Sequence, residues 1–197
     1  MTVDVNMKQA DAELLEDLDE VMEDSMVQLF VLQPRTPEEL ETAKARAAEH
    51  EAIFYAAPIA MKNETDENCV GFVIRSREEL ADADKPIFVE EKDTQGDLGA
   101  TLGSGGYAGI ILDATQPHEA LPRFFLSLGA AGIDRFDPEA LNRLDMDRIV
   151  LQSSYPEHGL SGIYRTVKVI SDAMFRPEQS IIARATKNSL TLLGFKR

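Results

Sequence analysis

An amide and an amine two residues apart, Asn6 and Lys8, follow the apolar run Val3 to Val5. Glu90-Glu91-Lys92-Asp93 follows a second such run, Asp113 and Thr115 follow a third, Ser127 sits on a fourth, and Gln152-Ser153-Ser154-Tyr155-Pro156 closes a fifth. A lysine held among carboxylates can be tuned as a general acid or base, or can neutralise them as an internal ion pair. The first arrangement does chemistry and the second only fills a pocket. Asn6, Lys8, Glu90, Lys92, Asp113 and Ser154 are therefore the candidate pocket residues.

Metal-assisted hydrolysis asks for imidazole or clustered carboxylate ligands. The chain has three histidines, and none forms an H-x-H or H-E-x-x-H pair. His50 falls in a helix with no partner four residues on and reads as an exposed helix residue. His118 and His158 fall in loops after strand ends, where they could approach a pocket mouth. Gly103-Ser104-Gly105-Gly106 precedes a strand and lacks a following Lys-Ser/Thr, so it reads as a connector and not as a phosphate loop. Ser153 and Ser154 have no G-x-S-x-G turn around them, which argues against a serine hydrolase. Cys69 has no neighbouring base in sequence and reads as a small, half-buried apolar residue.

Short apolar runs rich in β-branched and aromatic residues alternate with segments of helical periodicity. The runs predict strands over Val3 to Val5, Val27 to Leu32, Ile53 to Ala57, Val70 to Ile74, Pro86 to Val89, Ala108 to Leu112, Phe124 to Leu128 and Arg148 to Leu151. Most are continuously apolar, as expected of parallel strands covered on both faces. Thr36-Pro37-Glu38-Glu39 supplies a capping hydroxyl, a first-turn proline and a glutamate three residues past the cap, and Ser76 to Glu79 repeats the cap-to-Glu spacing. Asp137-Pro138-Glu139-Ala140 starts a short helix, and Leu160 to Phe195 reads as two helices parted near Arg176-Pro177-Glu178. Ala12 to Met26 predicts a first helix with an acidic outer face.

Strand ends with helices between them predict an α/β protein, a small (β/α)8 TIM-barrel-like fold in one domain over residues 1–197. The length is near the lower limit for that fold. The connections Lys62 to Cys69 and Pro117 to Arg123 are too short for full helices, so a distorted or incomplete barrel is expected; an open doubly wound sheet is the alternative. In either case the functional residues sit past the carboxyl ends of the strands.

The 197 residues carry 35 acidic against 20 basic side chains, a formal charge of −15. With Lys and Arg scattered, that balance disfavours a nucleic-acid backbone as partner, leaving a small molecule or a protein. No apolar run approaches the ~20 residues that span a bilayer. A single cysteine and an acidic amino-terminal stretch without secretory order point to a reducing cytoplasm.

Three segments carry a resemblance. Val3-Asp4-Val5-Asn6-Met7-Lys8 with Leu15 to Val21 is similar to the D-x-H-x-H opening and following helix of the TatD-like metal-dependent hydrolases, a branch of the amidohydrolase-type barrels. Lys85-Pro86-Ile87-Phe88-Val89-Glu90 resembles that family's proline-led strand ending in a ligand histidine. Leu144 to Pro156 resembles the strand closing in E-T-D-x-P, and Asn188 with Leu192, Leu193 and Phe195 the terminal helix. The resemblance implies a barrel whose relatives are deoxyribonucleases or phosphoesterases with a two-metal site. It also implies that the ligands are substituted: the two histidines fall on Asn6 and Lys8, the strand-five histidine on Glu90, and the last aspartate on Ser154. The strand-four glutamate falls near Phe72 and the strand-six histidine near Leu112 or Asp113.

An ammonium in a ligand position repels a dication. The expectation is a TatD-related barrel without the two-metal hydrolase site, with no catalytic residue and no cofactor, acting as a binding or scaffolding domain. The rival is a divergent phosphoesterase or deoxyribonuclease with one divalent metal on Glu90, Asp113, His118 or His158, or with Lys8 and Glu90 as an acid and base pair. A purely structural partner protein is the third possibility.

Overall fold

The computed structural model describes residues 2–7, 27–76, 79, 84–90, 110–113, 124–154 and 158–195, with the backbone alone described at 6, 7, 90, 110–113 and 124. The predicted helix Ala12 to Met26, the glycine run, His118, Lys8, Lys92 and the Pro117 to Arg123 connection lie outside these residues.

All eight predicted strands form, each within two residues of its expected bounds: β1 Thr2–Met7, β2 Val27–Leu32, β3 Ile53–Pro58, β4 Cys69–Val73, β5 Ile87–Glu90, β6 Ile110–Asp113, β7 Phe124–Gly129 and β8 Ile149–Gln152. They pair in chain order, every ladder parallel. β8 packs against β1, so the two ends of the sheet meet. That contact sets aside the open doubly wound sheet, whose edge strands lie apart.

The continuously apolar strands are explained by their two cores. Phe30, Leu32, Tyr55, Ala57, Ile87, Val89, Leu126, Leu128, Ile149 and Leu151 join a core that includes helix residues Leu40, Ala43, Ile163, Val167 and Ile181. The residues between them, Val31, Ala56, Phe88 and Val150, join Val3, Val5 and Val73 in a second core. Successive side chains of a strand point to opposite faces. The first core therefore lies between sheet and helices, and the second fills the inside of the ring.

The helices begin where the capping chemistry places them. α1, Pro37–Glu49, starts after Thr36, whose Oγ1 accepts the Glu39 N–H at 3.2 Å, while the Glu39 carboxylate accepts the Arg35 N–H at 2.6 Å. The second half of this device recurs after β4, where Glu79 accepts the Arg75 N–H at 2.7 Å. α2, Ala130–Ile133, was not expected; its Ala-Ala-Gly-Ile sequence is one turn long and too short to show a period. α3, Pro138–Asn142, is capped by Asp137, and α4, Gly162–Met174, and α5, Glu178–Leu192, part at the expected proline. His50 does not lie inside a helix as expected. It is the half-buried carboxyl-terminal cap of α1, where the chain turns extended to enter β3.

Two connections close the ring. Between β3 and β4 a 3-10 segment, Ile59–Glu64, replaces a full helix, as the short spacing required. The buried Tyr55 hydroxyl fixes it, donating to Asp66 Oδ1 at 2.9 Å and accepting the Asp66 N–H at 2.9 Å. At the other end, Leu190 and Leu193 join the inner core, and the Phe195 ring lies 4.4 Å from that of Phe54 near the amino end of β3. The end of α5 thus floors the barrel opposite the strand ends where function is expected.

Burial, and then the Asp66 carboxylate, push the Tyr55 hydroxyl well above the usual tyrosine range. Above a pH of about 10 the unfolded chain gives up this proton while the folded chain holds it. Stability present below that pH is lost as pH rises further. The denaturant midpoint is expected to fall more steeply between pH 9 and 11 in the parent chain than in Tyr55→Phe; parallel curves would remove the effect assigned to this hydroxyl.

Candidate functional site

The carboxyl ends of the strands put the sequence-predicted residues in two groups. Register pairs Glu90 of β5 with Asp113 of β6, and Asp113 with Ser127 of β7. The two acidic candidates, 23 positions apart in sequence, thus stand side by side in one row across the sheet, with a serine as the third member. The second group is at the β8 end, with Asn6 near the end of neighbouring β1.

Ser127 is fully buried. Leu126 and Leu128 face the helix-side core, so its side chain is on the inner face of the ring. Its Oγ has no hydrogen-bond partner. The other hydroxyl of this kind among the described residues is that of Thr2, which opens β1 at the opposite end of the barrel.

Among the described residues the β8 end is lined by amide and hydroxyl side chains and is tightly packed. Gln152, Ser153 and Ser154 are all buried. Ser154 adopts the left-handed conformation at φ 63°, a costly one for a residue with a Cβ, and its Oγ accepts the Ala131 N–H at 3.2 Å. Gly129 allows this approach: a Cβ there would lie 2.4 Å from Ser154 Oγ and 2.5 Å from Gln152 Cγ. His158, a candidate ligand, is exposed beyond this turn, its backbone N–H donating to the Ser154 carbonyl at 3.3 Å.

Two sites read differently from their sequence. Cys69 opens β4 and is buried, more so than the half-buried position expected. Asp4 is a buried carboxylate between Val3 and Val5 on β1, and was not among the pocket candidates. Its signal was present: an acidic residue inside a Val-x-Val run is out of place in an apolar strand unless it has a task.

A two-metal hydrolytic centre needs anionic or imidazole donors converging from several strands. Among the described residues the donors at the β8 end are an amide and two hydroxyls, and the Ser154 hydroxyl is already engaged by a backbone N–H. That donor set does not fit a pair of divalent ions. Among the described residues no three His, Cys, Asp or Glu side chains form a metal-binding group.

Eight parallel strands in chain order, joined end to end and helix-coated on the outside, define a barrel of the TIM type, small and with its helical layer incomplete among the described residues. Its fold is the one seen in TatD homologues and other amidohydrolase-type hydrolases. The TatD homologue YJJV of Escherichia coli K12 matches with a TM-score of 0.76 over 99% of this chain and 98% of that one, at 11% identity. A TatD-family hydrolase of Entamoeba histolytica matches with a TM-score of 0.72 over 97% of each chain, at 9% identity. A probable 2-pyrone-4,6-dicarboxylic acid hydrolase of Acinetobacter baumannii matches with a TM-score of 0.63 over 98% of each chain, at 11% identity. At these identities the likeness carries the fold. No protein-family model matches the sequence, and no curated protein matches it.

Proposed function

We propose that this chain is a TatD-related barrel that has lost the two-metal hydrolase site and serves as a binding or scaffolding domain. The observation that carries the reading is the β8 end, where Ser154 Oγ is held by the Ala131 N–H within a neutral amide and hydroxyl cluster. A barrel built this way keeps a polar mouth while losing the charge that would hold two cations. The excess of acidic side chains, −15 in formal charge, favours a small molecule or a protein over nucleic acid as its partner. No helix among the described residues is long and apolar enough to cross a membrane. A reducing cytoplasm suits the single, buried Cys69.

The rival, a divergent metal-dependent phosphoesterase or deoxyribonuclease, draws on the pairing of Glu90 with Asp113. One assay separates the two. Phosphodiester, phosphomonoester and DNA substrates are incubated with the purified chain and added Mn²⁺, Zn²⁺ or Mg²⁺. Turnover no higher than the protein-free blank is expected. Metal-stimulated turnover that disappears in Glu90→Gln would overturn the proposal and establish the hydrolase.

A further inference from the structure

We propose that α4 is a docking face for a second copy of this chain. The two helices would lie antiparallel across a two-fold axis, so that Tyr164 meets Phe175 of the other copy and Lys168 meets its Asp172. The proposal goes beyond the reading of the barrel mouth and does not depend on it.

Three observations carry it. The first is where apolar surface is left outside. Among the described residues the large apolar side chains that stand exposed are Tyr164 and Phe175, one in the first turn of α4 and the other at its carboxyl-terminal cap. Eleven residues make three helical turns, so the two lie on one line of the helix about 16 Å apart. Lys168 and Asp172, both exposed, fall on the same side between them.

The second is the conformation of Phe175. It ends α4 at φ 52° and is 92% exposed. Glycine is the common residue in this left-handed position, and a residue with a Cβ is strained there. The corner is nonetheless well tied. The Phe175 and Arg176 N–H groups both donate to the Ser171 carbonyl, and Ser171 Oγ donates to the Arg176 carbonyl at 2.5 Å. A strained backbone that holds a phenyl ring in water stabilises nothing within its own chain. Covering by a partner gives the ring a use.

The third is self-complementarity, which singles out the partner. In an antiparallel pair centred near position 170, residue 164 faces 175 and residue 168 faces 172. Each aromatic then meets an aromatic and each ammonium a carboxylate, twice over, as an isologous contact requires. Neither Lys168 nor Asp172 has an ion-pair partner among the described residues of its own chain. An acidic peptide or an anionic membrane would call for one sign along the line, and the line carries both. The wider charge agrees: in a chain of −15, Leu160 to Phe195 has five basic against two acidic side chains, so contact here avoids the repulsion that the acidic remainder would bring. A single 13-residue helix makes a contact near the lower limit of specific interfaces, so a reversible dimer with Kd on the order of 10 µM is expected.

The test is sedimentation equilibrium of the full chain over about 1–500 µM, which brackets that value. A monomer–dimer equilibrium is expected. Phe175→Gly should weaken it at least about tenfold and, at a dilution where both chains are monomers, should melt no lower than the parent. Lys168→Glu and Asp172→Lys should each weaken it about tenfold, and the double reversal should restore it. A chain that stays monomeric throughout overturns the proposal. So does a dimer that Phe175→Gly leaves intact, or a double reversal that associates no better than the single ones. Binding of the monomer to phosphatidylserine vesicles, lost in Phe175→Gly, would give the face to a lipid surface and overturn it as well. Metal-stimulated turnover in the assay above concerns the barrel mouth alone, so the two readings fail separately.

Discussion

Replacing Gly162 by alanine is expected to lower the melting temperature by roughly 6–12 °C, corresponding to about 2–4 kcal/mol in a chain of this size. The cause is backbone crowding. A Cβ at Gly162 would lie 2.3 Å from the Ser153 carbonyl oxygen, with the Cβ of Ala130 at 3.1 Å and that of His158 at 3.2 Å. None of these is the far end of a flexible side chain. Relief requires the first turn of α4 to back away from the end of β8, and with it the turn that holds Ser154. The better helix propensity of alanine returns no more than about 1 kcal/mol. Thermal denaturation followed by circular dichroism decides the matter, and an unchanged midpoint would deny the close approach of α4 to β8.

Asn188→Ala is expected to cost about 2–4 kcal/mol, since two hydrogen bonds are lost, one to a buried carbonyl and one to a half-buried one. The Asn188 side-chain amide donates to Met146 O at 2.9 Å and to Ile149 O at 2.8 Å, tying the last helix to the start of the last strand. No other residue type reaches both carbonyls with two donors from one nitrogen at this length. Asn188→Asp is the sharper variant. An ionised carboxylate would face two carbonyl oxygens, so its folded-state affinity for a proton rises above that of the unfolded chain. Its stability is present in acid and lost as pH rises, so the deficit relative to the parent chain should be larger at pH 7 than at pH 4. A deficit independent of pH would show that the amide does not face those carbonyls.

Local chemistry made most of the frame legible. Mostly apolar runs of three to six residues marked all eight strands, because parallel strands buried on both faces need no polar alternation. Thr36, Asp137 and Pro177 marked helix starts through their own hydrogen-bonding and backbone restrictions. His50 was misplaced by one residue, enough to move it from helix interior to cap.

The site was legible residue by residue but not as an arrangement. Glu90, Asp113 and Ser127 each stood out at a strand end, yet their common row follows from interstrand register, which the whole ring sets and no single segment encodes. Ser154 was read as a substituted ligand. Its engagement by Ala131 depends on the unexpected α2 turn and on the absent side chain of Gly129. Asp4 was legible as an acidic residue out of place in a Val-x-Val run, but its full burial follows from the packing of the whole ring and not from that segment.

The seam between β1 and β8 has a consequence for biogenesis. During synthesis β1 leaves the ribosome about 140 residues before its neighbour on that side, and the floor made by α5 arrives later still. Until then the nascent ring has an open edge, with a template for unwanted strand pairing on Thr2–Met7. Folding of this chain should therefore be slow and sensitive to chaperone supply, with completion deferred until the distal helix docks.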